Sequence, residues 1–133
     1  MNPHYTETAQ RAQHRCEYCR APESVFNFPF EVEHIQPLSL GGKDNSANQA
    51  LACRSCNVYK GLHLQGVDPV TGKTVPLFHP RKDNWYTHFQ FHEETGEIVG
   101  LTEIGRVTII YLRANSRAQV IARKEWLRLG LYP

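Results

Sequence analysis

The sequence has no apolar run approaching the ~20 residues that cross a bilayer, no internal repeat, no low-complexity tract and no long run of one charge. The first absence excludes a membrane span. Nor is either charge in excess: 15 Lys and Arg against 13 Asp and Glu leave a net +2. That balance is compatible with a nucleic-acid partner without demanding one. Met1-Asn2-Pro3-His4-Tyr5 has no basic patch leading into an apolar stretch, so a secretory signal is not expected. A reducing cytoplasm is then the expected location, where four cysteines serve as metal ligands rather than disulfides. At 133 residues the chain is expected to form one domain over 1–133 with a modest core.

What is present is cysteine in pairs. Cys16-x2-Cys19 and Cys53-x2-Cys56 are separated by 33 residues. Two such knuckles offer the four thiolates of a tetrahedral zinc site, each short loop presenting two from one direction. A structural Zn2+ would tie the N-terminal segment to whatever follows Cys53, and would supplement a small core. A redox dithiol needs one C-x-x-C in a thioredoxin-like context, and two pairs outside that context argue against it.

Residues 6–15 are polar and read as a short helix or turn. Val25 to Ile35 is rich in β-formers, and Pro29 moves the strand start to about Phe30. Alternation puts Phe30, Val32 and His34 on one face, with Glu31, Glu33 and Ile35 on the other. A loop over 37–48 holds Gly41-Gly42 and Asp44-Asn45-Ser46. A second strand over Gln49–Ala52 follows, then a helix over Arg54–Leu62 ending near Gly61. Residues 66–80 read as a turn-rich connection, and His88–Leu101 as a hairpin around Glu94-Thr95-Gly96. Thr102 caps a helix over Glu103–Arg113. Ser116 with Gln119 has the capping-box pattern for a last helix over Arg117–Leu129, stopped by Gly130. The fold class is therefore α+β: a strand–loop–strand–helix core, a C-terminal β-hairpin and two packing helices. Trp85, Phe89 and Trp126 are expected in the core, and His79 and Arg81 are expected to pack. Arg113, Arg117, Arg123, Lys124 and Arg128 scatter around the last helices without defining a face.

The chemistry is concentrated in Glu33-His34-Ile35-Gln36-Pro37, Asn48 and Cys56-Asn57-Val58-Tyr59-Lys60. Phosphodiester hydrolysis needs a base for water and a cation on the phosphate. Histidine titrates near neutrality and suits the first task. Glu33 and Asn57 offer oxygen ligands for a hard cation such as Mg2+. Adjacent strand residues point to opposite faces, so Glu33 and His34 meet at one site only if the chain bends there.

The pattern C-x2-C, E-H-I-x-P-x-x-x-G-G, Asn48, C-x2-C-N-x-x-K over Cys16–Gly61 resembles the HNH endonuclease family, the ββα-metal or His-Me finger nucleases. Leu77-Phe78-His79-Pro80-Arg81, Trp85, His88-Phe89, Gly100-Leu101-Thr102 and Gly105-Arg106 resemble the tail of small bacterial and phage members. The resemblance implies a ββα-metal core over 16–62, with the hairpin and helices of 77–130 packed on it. It implies a metal-dependent endonuclease acting on DNA, with His34 as general base and Glu33 and Asn57 as ligands of a catalytic Mg2+ or Mn2+. Asn48 would hold the loop that orients His34, and Lys60 would meet a phosphate. Glu33 stands where Asp is common and Asn57 where the family's last His stands; both favour a hard cation. The competing reading is a non-catalytic zinc module that binds nucleic acid or protein.

Overall fold

A computed structural model of the chain describes residues 2–133. Helix α1 spans Tyr5–Arg11. Strands β1 (Glu31–His34) and β2 (Gln49–Ala52) pair antiparallel, with Glu31 opposite Ala52, Val32 opposite Leu51, Glu33 opposite Ala50 and His34 opposite Gln49. Helix α2 follows over Arg54–Lys60, with Cys53 at its N-cap. The register is unbroken, so β1 alternates regularly and no bulge turns Glu33 and His34 to one side. The Glu31, Glu33 and Ile35 side of β1 receives α2, whose Arg54, Asn57 and Lys60 reach those three residues. Helix α1 packs against both strands.

The loop between β1 and β2 is held from within. Asn48 Oδ1 accepts from Gln36 N at 2.8 Å, and its Nδ2 donates to Gln36 O and Lys43 O at 2.9 and 2.8 Å. Gly42 is required at this closure, because a Cβ there would lie 1.8 Å from Gln36 O.

The stretch expected to be irregular contains a small hairpin, β3 (Gln65–Val67) with β4 (Thr74–Pro76). Three-residue strands are too short to show alternation; what makes them is packing. At Gly66 the ring of Tyr111 comes so close that a Cβ would be 2.4 Å from it. A single turn, α3 (Trp85–His88), leads into the hairpin β5 (Phe89–Phe91) and β6 (Ile98–Gly100), then α4 (Glu103–Tyr111) and α5 (Arg117–Arg128). Thr102 caps α4 through Gly105 N at 3.1 Å. The expected capping box at Ser116 is not formed: its side chain makes no cap bond.

Buried apolar residues of the motif and the tail form one cluster, including Tyr18, Leu51, Phe78, Trp85, Phe89 and Val107. Trp85 Nε1 donates to Tyr18 O and Tyr132 Oη to Cys19 O, so the tail grips the first cysteine knuckle. Arg123 is fully buried and donates to Gly96 O and Ala114 O, a structural arginine rather than a surface charge. No helix among the described residues is long and apolar enough to cross a membrane.

Candidate active site and zinc cluster

The four cysteines are buried, free of disulfides, and place their sulfurs within 4.8 Å of one another. Cys19 Sγ lies 3.8 Å from Cys53 Sγ. A tetrahedron of Zn–S bonds near 2.3 Å has edges of about 3.8 Å, the separation seen between Cys19 and Cys53. In each knuckle the second cysteine's amide donates to the first sulfur, Cys19 N to Cys16 and Cys56 N to Cys53, both at 3.5 Å. Hydrogen bonding centred on Cys16 holds the Cys19 thiol well below its usual range and pushes Cys53 and Cys56 well above it. Four close thiols cannot all ionise without a cation among them, and the donor set fits zinc.

At the end of β1, His34 Nε2 lies 2.8 Å from Asp44 Oδ1, with the imidazole side chain 23% exposed. Asp44 also accepts from Gln49 Nε2 at 3.0 Å, and His4 Nε2 stands 3.7 Å from its other oxygen. Chiefly through the His34 hydrogen bond, the Asp44 carboxyl is held below its usual range. On the same hairpin, Arg11 donates to Ser46 O and to Gln49 O, the carbonyl of the residue opposite His34.

On the other side of β1, Glu33 is buried and both its oxygens are engaged. Tyr18 Oη donates to Oε1, and Lys60 Nζ donates to Oε2 at 2.7 Å and to Ile35 O at 2.7 Å. Burial is the largest influence on Glu33 and raises its pKa; the Lys60 ammonium acts against it. Asn57 Nδ2 donates to Glu31 Oε2 at 2.8 Å, beside Arg54, which pairs with the same carboxylate.

An antiparallel pair and its loop thus lie between two cysteine knuckles, the second of which opens α2, and residues 16–62 match the family model described as HNH endonuclease. Residues 16–62 carry an HNH endonuclease domain. No curated protein and no solved structure matches the chain. The match suggests a nuclease-type function for residues 16–62.

Within the HNH domain the expected site residues divide into two groups. His34 and Asn48 belong to the hairpin and its loop. Glu33, Asn57 and Lys60 lie on the α2 side, each tied to another partner. The Mg2+ or Mn2+ expected at Glu33 and Asn57 does not fit these side chains as they stand, since Glu33 is closed by Tyr18 and Lys60 and Asn57 is turned to Glu31. Lys60, expected to meet a phosphate, is 2% exposed and points its charge inward. The cause is the regular pleat of β1: with no bend at Glu33, its carboxylate faces the core and requires a buried counter-charge. Asp44 and Arg11 were not singled out by sequence. Asp44 stands in a turn-forming triplet and Arg11 in a polar helix, and neither context signals that the fold brings them to His34.

Proposed function

We propose that this HNH domain hydrolyses phosphodiester bonds in DNA, with His34 as the general base. The observation that carries the reading is the hydrogen bond from His34 to Asp44 at the partly exposed end of β1. An ionised Asp44 accepts from Nε2–H, which leaves Nδ1 with a free lone pair. Nδ1 takes a proton from water as the water oxygen bonds to phosphorus and the bond to the 3′ oxygen breaks. The departing oxygen is protonated from solvent. Arg11, fixed on the carbonyl opposite His34, supplies positive charge for the phosphate. Zinc at the four cysteines holds the frame and takes no part in the step. Glu33 and Asn57 as ligands of a catalytic Mg2+ or Mn2+ rest on the resemblance, and no step here runs through that ion.

A zinc-stapled module that binds nucleic acid or protein without cutting it is the second reading. The closure of Glu33 onto Lys60 favours it, because that pair removes a carboxylate from reactive use. Plasmid nicking separates the two. Wild type should nick with added Mg2+ or Mn2+, and His34→Ala should lose about 100-fold or more at unchanged zinc content. Asp44→Asn should lose less, about tenfold, equivalent to about 1.4 kcal/mol of barrier. Equal nicking by folded His34→Ala removes His34 as the base; no cutting by wild type with any added ion favours the binding module.

A further inference from the structure

A cleft of about 610 Å3 opens on the α2 side of the β1–β2 loop, at the seam between the HNH domain and the tail. Neither His34 nor Asp44 lines it. Its apolar lining is Leu64 and Ile104, open to a ligand, over the buried side chains of Ile35, Leu77 and Phe78. Its rim is basic, with Lys43 from the loop and Lys82 from the tail, and His63 and His79 beside them. Neither Lys43 nor Lys82 forms an ion pair among the described residues. Asp83 is the acidic residue at the cleft, and one of its oxygens accepts from His79 N at 2.9 Å.

These features restrict the occupant. A bare anion would be served by the rim and would leave the apolar lining wet. A purely apolar ligand would leave two lysines unused. A ligand with a flat apolar body and a phosphate matches both, and the volume is that of a small-molecule site rather than of a duplex groove. His79 agrees with this division. Its Nδ1 accepts from Arg81 N at 3.2 Å, so its Nε2 carries the proton and is a donor. Burial, with help from Lys82, holds its pKa below the usual value.

We propose that this cleft seats one unpaired nucleotide of a DNA strand, its base against Leu64 and Ile104 and its phosphates on Lys43 and Lys82. The proposal rests on the nuclease reading and narrows its substrate to DNA with a single-stranded segment. A base outside a duplex stack can cover such aliphatic side chains while the flanking cations hold its phosphates, a contact indifferent to which base it is. The tail, expected only to pack, would then supply half of the binding site.

The test is fluorescence anisotropy with a labelled single-stranded oligonucleotide and a blunt duplex of the same sequence. It uses the zinc-loaded full chain carrying His34→Ala to prevent cleavage. The single strand should bind at least about tenfold tighter than the duplex. Adding Lys43→Ala and Lys82→Ala should weaken single-strand binding about tenfold. It should also reduce the salt slope by about 1.4, at ~0.7 for each phosphate contact in a single strand. Leu64→Glu, at a lining position 40% exposed, should weaken the single strand through its carboxylate without touching the lysines. Unchanged affinity and slope in the double-lysine variant overturn the cleft while the nuclease reading stands. A duplex bound as tightly as the single strand overturns the unpaired nucleotide. Absence of binding to either DNA at low salt overturns both readings. Zinc content and thermal midpoint confirm that each variant is folded.

Discussion

At the scale of single residues, the pair formed by Glu33 and Lys60 is the most consequential feature of the HNH domain. Both side chains are almost wholly buried and 2.7 Å apart, and Lys60 also holds Ile35 O. Removing one member leaves an uncompensated charge out of reach of water. Lys60→Ala should therefore lose about 3–5 kcal/mol in urea unfolding. Glu33→Gln with Lys60→Met should recover much of that loss, because neither charge then remains. If Lys60→Ala unfolds at the wild-type midpoint, the pair is not closed in solution and Glu33 is free for another role. His34 differs in kind from Glu33: its partner Asp44 is exposed, so the contact orients the ring and adds little to stability.

At the scale of elements, the two late helices begin in different ways despite similar sequence signals. Thr102 reaches Gly105 N, whereas Ser116 makes no cap bond. Thr102→Ala should cost about 1 kcal/mol, and Ser116→Ala should stay within about 0.5 kcal/mol, both read from chemical denaturation. Helix α2 starts at the cysteine cluster, since Cys53 is both a member of it and the N-cap. Seven residues are too few for a helix to hold itself in water, so α2 depends on the cluster at one end and on Lys60 at the other.

At the scale of the whole molecule, the zinc cluster and the tail are mutually dependent. Tyr132 and Trp85 bond the first knuckle, and the second knuckle opens α2. Stripping zinc with a strong chelator should thus unfold the chain broadly, read as loss of far-ultraviolet dichroism in step with zinc release. Release of zinc with an unchanged spectrum would show that the core stands alone. Asp68 joins the β3–β4 hairpin to α4 through two bonds from Arg106, at 2.9 and 2.7 Å. That guanidinium holds the Asp68 carboxyl well below the usual range. A depressed acid binds fewer protons folded than unfolded, so its stabilisation is present at neutral pH and lost on acidification below about pH 4. Glu33, raised by burial, acts in the opposite sense, so comparison with Asp68→Asn isolates the effect. The variant should start less stable at neutral pH and lose less on acidification, followed by urea midpoints from neutral pH downward.

Local chemistry made much of this legible from sequence. The two C-x2-C pairs pointed to one four-sulfur cluster, which the fold forms, and β2 fell on Gln49–Ala52 as expected. The Glu94-Thr95-Gly96 turn marked its hairpin, and Thr102 its helix. The β3–β4 hairpin escaped because its strands exist only through Tyr111 and α4 packing on Gly66. The same limit governs the feature on which the sequence analysis turned, the neighbouring Glu33 and His34. Sequence by itself determined that they adjoin on a strand and lie between two C-x2-C pairs, since spacing and pleat are local properties. Tertiary structure alone decided their partners: an unbroken register sent Glu33 to Lys60 in the core and His34 to Asp44 at the surface. A side chain's partner across ten or more residues is set by packing, which no local pattern records.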